Sequence, residues 1–201
     1  MSNQPINDAA LDRLFRAART ESAWTEETVP EALIRATFDL ARMGPTSGNS
    51  SPARFVFFPK GAARDRLMPL ISEGNREKAA AAPWIVIIAH DLAFYDKMPE
   101  LFPQRPQMFD ALRDKPEAAE THAFRNGTLQ GAYLMLAARA LGLDVGPMSG
   151  IDAKGIDEAF FLDDPIRATW RTNWACNIGY GAGASFDRLP RLEFDSACVI
   201  L

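Results

Sequence analysis

Two cysteines and two histidines are all that this 201-residue chain contains of the residues that most often build disulfides, metal sites and histidine-based catalytic triads. Cys176 and Cys198 both stand among apolar neighbours, where small buried thiols are commoner than a disulfide in a reducing compartment. His90 and His122 have no cysteine or carboxylate cluster beside them at ligand spacing, which leaves a zinc site or a triad without support and makes core or surface histidines the expectation. No run of about 18 apolar residues occurs, and Met1 to Asp12 is polar, so neither a membrane span nor a secretory signal is indicated and a cytoplasmic address is expected. There is no excess of positive charge either. Lysine and arginine total 22 against 26 acidic residues, for a net charge of −4, and the basic residues are scattered singly, which speaks against nucleic acid and anionic membrane as partners.

Familiar phosphate and nucleophile motifs are missing too. Gly179, Gly181 and Gly183 imitate a dinucleotide-binding turn, but a true fingerprint has G-x-G-x-x-G spacing, a following helix and an acidic residue about 20 positions on. Only 18 residues follow Gly183. Gly44-Pro45-Thr46-Ser47-Gly48 and Gly146-Pro147-Met148-Ser149-Gly150 place serine fourth, where a nucleophile elbow requires it third. No Walker loop is present.

What is present is the material of one packed domain: 47% hydrophobic residues, with 13 Phe and 4 Trp, in a length suited to a single large core. Leu11, Leu14, Phe15 and Ala18 recur at helical spacing and predict a helix ending around Arg19. A second helix is expected from near Pro30, with Leu33, Thr37, Leu40 and Ala41 on one side, stopping before Gly44-Pro45. The polar segment 46–51 reads as a loop. Ala53–Phe58 and Trp84–Ala89 read as strands separated by a helical stretch around Leu67–Ala82, and Asn173–Ile178 as a late strand. Between Phe94 and Pro116, four prolines interrupt periodicity while aromatic residues supply apolar weight, the composition of a packed lid or cap. Glu120–Leu143 is the longest helical candidate. Its stretch from Ala132 to Ala138 is apolar nearly all round, so part of its cover could come from a second subunit.

The remaining polar, glycine-rich and basic points are Arg19-Thr20-Glu21-Ser22, Pro45-Thr46-Ser47-Gly48-Asn49, Gly74-Asn75-Arg76-Glu77-Lys78, Gly146-Pro147-Met148-Ser149-Gly150 and Arg188-Leu189-Pro190-Arg191. Each alone reads as a cap or turn. In order and spacing, the chain resembles the nitroreductase family of flavoproteins over nearly its whole length. Within that family it looks most like the malonic semialdehyde reductases of pyrimidine (uracil) degradation. That likeness rests on Ala18-Arg19-Thr20, Gly44-Pro45-Thr46-Ser47, Ser50-Ser51-Pro52-Ala53-Arg54, Ala123-Phe124-Arg125-Asn126, Gln130-Gly131-Ala132-Tyr133, Leu141-Gly142-Leu143-Asp144 and Asn177-Ile178-Gly179-Tyr180-Gly181.

The resemblance implies an α+β, three-layer fold with a mostly antiparallel central sheet, an intertwined homodimer, and FMN bound at the subunit interface with NADPH or NADH as co-substrate. It implies cofactor contacts from Arg19, Thr20 and Ser22. Arg19, together with Arg188 or Arg191, would face the phosphate, since arginine offers it a planar fork of donors. The family's second amino-terminal basic residue falls on Ser22 or Ala23 here. Pro45, Thr46, Ser47 and Asn49 would contact the ring edge or ribityl chain, partly on the flavin of the other subunit. Asn75 and Lys78 would face the ring's pyrimidine portion and the nicotinamide site. Pro147 and Met148 would lie against the buried ring face, with Ser149 and Gly150 near N5; many relatives have glutamate at the position of Ser149. Reduction of malonic semialdehyde to 3-hydroxypropionate is the activity implied. Arg105, in the proline-punctuated segment, is the candidate partner for the substrate carboxylate. The alternatives are a broad nitro, quinone or enone reductase and a flavin-binding protein without turnover. A purely structural dimer whose glycine loops are only turns is a third.

Overall fold

In the computed structural model, which describes residues 3–201, helix α1 spans Asp8–Leu11 and continues as a wider π-type turn over Asp12–Arg16. Met1 and Ser2, at the head of the polar amino-terminal stretch, lie outside the described residues. The helix thus ends before the expected Arg19, and the chain passes into a two-residue strand β1, Ala23–Trp24. Helix α2, Glu31–Ala41, starts after Pro30 and buries Ile34, Thr37 and Ala41. Leu40, expected on that buried stripe, is instead 49% exposed, because the stripe runs 34, 37, 41 and places residue 40 beyond its edge.

Strand β2, Ala53–Pro59, leads to α3, Ala62–Leu67, and then to α4, Glu73–Ala81. The single helix expected over 67–82 is therefore interrupted. Pro69 lacks the N–H needed to continue α3, the chain tightens over Met68–Leu70, and Ile71 turns extended and bridges to Ile151. Strand β3, Trp84–Asp91, follows. The proline-rich segment holds a short turn at Phe94–Lys97, helix α5 at Met98–Leu101 and another turn at Asp110–Leu112. Phe94, with Tyr95, Phe109 and Leu112, packs it onto Ala119 and Ala123 as a small satellite core.

Those two alanines belong to α6, Pro116–Ala140, the longest helix. It starts four residues before the expected Glu120, with Pro116 in the first turn where its missing N–H costs nothing. Gly142, at φ +86°, ends it, a conformation in which glycine carries no Cβ penalty. Strand β4, Asp144–Met148, takes in the first three residues of the Gly146–Gly150 stretch, which alone reads as a cap or turn. Helix α7, Ala153–Phe160, is capped by Asp152. Strand β5 is Trp170–Gly179, β6 is Gly181–Gly183 and α8 is Phe194–Ala197.

Four strands form one antiparallel sheet in the order β2-β3-β5-β4, and β1 pairs antiparallel with β6 in a separate two-stranded ribbon. Alternation along β3 explains the layering. Val86 and Ile88 face a core shared with Ile34, Ala41, Leu134 and Ala138 of α2 and α6. Ile85, Ile87 and Ala89 face another, shared with Leu67, Ala79 and Ile156 of α3, α4 and α7. A strand covered on both faces reads as an unbroken apolar run, and each fully buried aliphatic side chain contributes about 1.5–3 kcal/mol. The result is the expected α+β arrangement of helices, sheet and helices.

Candidate functional site

At the outer edge of the sheet, β4 has β5 as its neighbouring strand, and its far side is lined by the amino-terminal segment. Thr20 bridges to Val145, and the Glu21 amide donates to the Val145 carbonyl at 3.0 Å. Pro147 fits here because an edge strand tolerates a residue without an N–H. Gly146 is required, since a Cβ there would lie 2.5 Å from the Glu21 carbonyl oxygen. Arg13 pairs with Asp144 at 2.8 Å, and Arg139, in the last turn of α6, donates to the Leu14 carbonyl at 3.1 Å. The tail folds back over the same segment. Arg188 Nη2 donates to the Ala18 carbonyl at 2.8 Å, Arg19 donates to the Phe186 carbonyl, and the Ser185 and Ser22 hydroxyls meet at 2.7 Å.

Between these parts lies a cavity of about 510 Å³ whose lining includes Arg19, Thr20, Ser22, Lys78, Pro147, Arg188 and Arg191. Seven of the residues singled out in sequence, from four separate stretches, thus meet in one place. Arg16 and Arg139 add two more cations to the walls, against the carboxylates of Glu21 and Asp187. Arg16 is held by Asp8 and Asp12, both at under 3 Å, and Glu21 accepts from the Gly183 amide at 3.1 Å. The balance favours a multiply charged anion, for which arginine forks and a lysine are the natural donors.

The loop candidates lie elsewhere in the chain. Tyr133 donates to the Pro45 carbonyl at 3.0 Å, and the Ser47 amide donates to Asn126 Oδ1 at 2.9 Å. Thr46 Oγ1 accepts from the Ser51 amide, and Asn49 Nδ2 donates to the Leu101 carbonyl at 2.7 Å. Asn126 and Arg139 sit on the same helix, and their 13-residue separation spans about 20 Å at 1.5 Å per residue. Ser47 is therefore held about 20 Å along the helix from Arg139, while Pro45, against Tyr133, is held about 9 Å from it.

Asn75 is on α4 one turn before Lys78, and its Nδ2 donates to the Gly150 carbonyl at 3.1 Å, so it braces the end of β4. Ser149 is exposed beside it. Met148, expected beside a ligand ring, points instead into the core with Ile156 and Phe161, because alternation along β4 sends it to the face opposite Pro147. Arg105 lies exposed in the turn after α5, outside the cavity that gathers the other cations. Arg139 and Phe186 were not legible as site residues. A basic residue in a helix's last turn reads as a partner for the helix dipole, and a lone phenylalanine in a tail gives no signal.

Cys176 is buried, and burial pushes its thiol up to about 12, which makes it inert. Cys198 corrects the expectation of two buried thiols: it is exposed near the carboxyl end, where apolar sequence neighbours find no core to join. His90 and His122 both have pKa values lowered chiefly by burial, and His122 further by the charge of Arg125. Among the described residues there is no cluster of three or more metal-ligating side chains, and no helix is long and apolar enough to cross a membrane.

A model of the Nitroreductase family matches residues 2–180. A Stenotrophomonas maltophilia protein described as a candidate NADH dehydrogenase/NAD(P)H nitroreductase is 50% identical over 197 residues, 97% of each chain. Among solved structures, a candidate nitroreductase from Exiguobacterium sibiricum in complex with FMN superposes with a TM-score of 0.83 at 19% identity, covering 100% of both chains. An enone reductase of a gut-bacterial fatty acid saturation metabolism superposes with a TM-score of 0.82 at 20% identity, covering 98% of this chain and 100% of that one. Those two likenesses show the fold, and the family match together with the relative at half identity shows the lineage: this chain belongs to the nitroreductase family.

Proposed function

We propose that the protein is an FMN-dependent NAD(P)H oxidoreductase acting on a small organic acceptor. The observation that carries this reading is the cavity in which Arg19, Lys78, Arg188 and Arg191 converge beside Pro147. The cofactor's phosphate is a dianion, and this donor set fits it. Arg188 is already anchored on the amino-terminal segment, whereas Arg191 donates to the carbonyls of Leu189 and Pro190 in its own tail, so Arg188 is the better placed of the two. When bound, FMN supplies hydride transfer from the nicotinamide to the acceptor, and the protein supplies position and electrostatics. Gly150, braced by Asn75, offers backbone at the strand end, and Pro147 presents a flat apolar surface.

Two observations support a homodimer with a shared site. None of residues 45–49 lines the cationic cavity of its own chain, which supports a second copy as the source of the loop. Apolar side chains left exposed also need cover: Phe38, Leu40 and Met43 around α2, and Phe186, Leu189, Leu192, Phe194, Val199, Ile200 and Leu201 in the tail.

For the acceptor, the branch likeness of the sequence supports malonic semialdehyde, reduced to 3-hydroxypropionate in pyrimidine degradation. The described activity of the Stenotrophomonas maltophilia relative favours a second reading, a broad nitro or quinone reductase. An anaerobic assay separates them. NADPH should bleach the FMN-loaded protein, and malonic semialdehyde should restore the colour faster than a nitroarene or quinone. Recolouring by the latter two alone would establish the second reading, and failure of the apoprotein to take up FMN would defeat both.

A further inference from the structure

Three polar side chains on α6 follow one another at one-turn intervals, His122, Asn126 and Gln130, and each grips the segment 46–53 at a different point. Ser50 Oγ lies 2.9 Å from His122 Nε2, the Ser47 amide donates to Asn126 Oδ1 at 2.9 Å, and the Ala53 amide donates to Gln130 Oε1 at 2.8 Å. Asn126 is also locked from behind, its Nδ2 donating to the His122 carbonyl at 2.9 Å. Asn126 and Gln130 are buried, at 5% and 6% exposure, and Ser50 is fully buried. A buried amide costs free energy unless every donor and acceptor is met, so polar groups retained on the buried face of this helix, among Ala119, Ala123, Gly127 and Leu134, require a use.

The segment they hold is one that would not keep its shape unaided. Gly48, Asn49 and Ser51 have φ of +56°, +55° and +39°, and non-glycine residues persist there only where the surroundings over-determine them. Residue spacing matters equally: i, i+4 and i+8 share one helix face, so the three contacts are set by a single rigid element. His122 is in turn stacked on Phe94 at 4.7 Å and tilted against Phe109 at 4.6 Å, and Gly48 abuts Met108 and Phe109. The same helix face therefore fixes the loop and the proline-rich segment together.

We infer that His122 and Asn126 are positioning residues that hold the 46–51 loop in the conformation that contacts the cofactor, with Gln130 fixing Ala53 where the loop passes into β2, the last step resting on the function proposed above. None of the three lines the cationic cavity, so their influence on a bound flavin passes through the loop.

The test uses the full chain, first without and then with FMN. In the apoprotein, Asn126→Ala should raise hydrogen exchange at the Ser47 amide about tenfold or more, as measured by NMR. Asn126→Asp keeps an acceptor oxygen for the Ser47 amide and, as the protonated acid that burial favours, a donor for the His122 carbonyl, so it should leave Ser47 protected within about twofold; it is also the variant to rely on if alanine prevents folding. On titration with FMN, Asn126→Ala should bind about tenfold more weakly, while Asn126→Asp recovers most of the affinity. A Ser47 amide equally protected in the alanine variant, or unprotected in the aspartate variant, would overturn the inference. So would a released amide with undiminished FMN affinity. If the parent protein takes up no FMN, the proposed function fails, and the exchange measurement still decides whether Asn126 sets the loop.

Discussion

Arg188 Nη2 donates to the carbonyl of Ala18 at 2.8 Å, so an arginine from the tail is fastened to the residue immediately before Arg19. The two guanidinium groups approach the cavity from sequence positions 169 residues apart, and their joint presence depends on the tail being folded back. Arg19→Ala should weaken FMN binding by about 1.5–3 kcal/mol, the range for a hydrogen bond to a charged group, or roughly 10- to 150-fold at 1.4 kcal/mol per decade. Fluorescence titration of apoprotein measures it, and undiminished affinity would remove Arg19 from the phosphate site.

Gly146→Ala addresses the wall rather than the cations. The added methyl would meet the Glu21 carbonyl at 2.5 Å, and that backbone is itself bonded to Val145. Overpacking of this kind typically costs about 1–3 kcal/mol, so a lower melting temperature and reduced FMN retention should appear together. An unaltered melt would show that the amino-terminal segment is not fixed against the edge strand.

The sheet was legible where packing leaves a mark in composition, and illegible where it does not. Strand β3 announces itself because both faces are covered, whereas β4 consists of Asp144, Val145, Gly146, Pro147 and Met148 and carries the composition of a turn. Only its position at the sheet edge makes that sequence acceptable as a strand. The arginine cluster was legible in part, through residues whose order matched a family. Arg139 was hidden because its place in the cavity depends on how the long helix ends. His122, Asn126 and Gln130 carry a signal in their four-residue spacing, but polar residues at that interval also describe a solvated helix face.

Acid should destabilise the fold through its histidines. His90 is 3% exposed, and both its ring nitrogens lack a hydrogen-bond partner among the described residues; its neighbouring charges are Glu120, Asp157, Arg171 and Asp91. His122 is desolvated and faces Arg125. Each imidazole is harder to protonate folded than unfolded, so below the ordinary value of 6.5 the unfolded chain takes up more protons. Stability is then lost as pH falls from there through the lowered folded value. Denaturant melts from pH 8 to 5 should show this decline, and His90→Leu should flatten it. A slope identical in the variant would acquit His90.

Leu40→Lys tests the proposed assembly. Leu40 lies with Leu14, Tyr133 and Leu136 on a shallow apolar surface formed by the α1 extension, α2 and α6. A charge there should shift the protein from dimer to monomer in light scattering and release flavin with it. A variant that remains dimeric and loaded would place the interface elsewhere.

Arg105→Ala probes the acceptor. If Arg105 meets the carboxylate of malonic semialdehyde, kcat/KM for that substrate should fall by about tenfold or more, about 1.4 kcal/mol, with little change for an uncharged quinone. Equal losses on both acceptors would remove Arg105 from the acceptor site.

Helix α6 also acts as a ruler. At one end it holds the loop and at the other it places Arg139 in the cavity wall, with no break in the helix between them. Inserting one residue between Gln130 and Arg139 would turn one end by about 100° relative to the other and advance it by about 1.5 Å. Arg139 would then leave the cavity while the contacts of His122, Asn126 and Gln130 stayed intact. Insertions should therefore be poorly tolerated in this stretch at any position, even at solvent-facing ones where substitutions are harmless, so that the helix's length is under tighter constraint than much of its sequence.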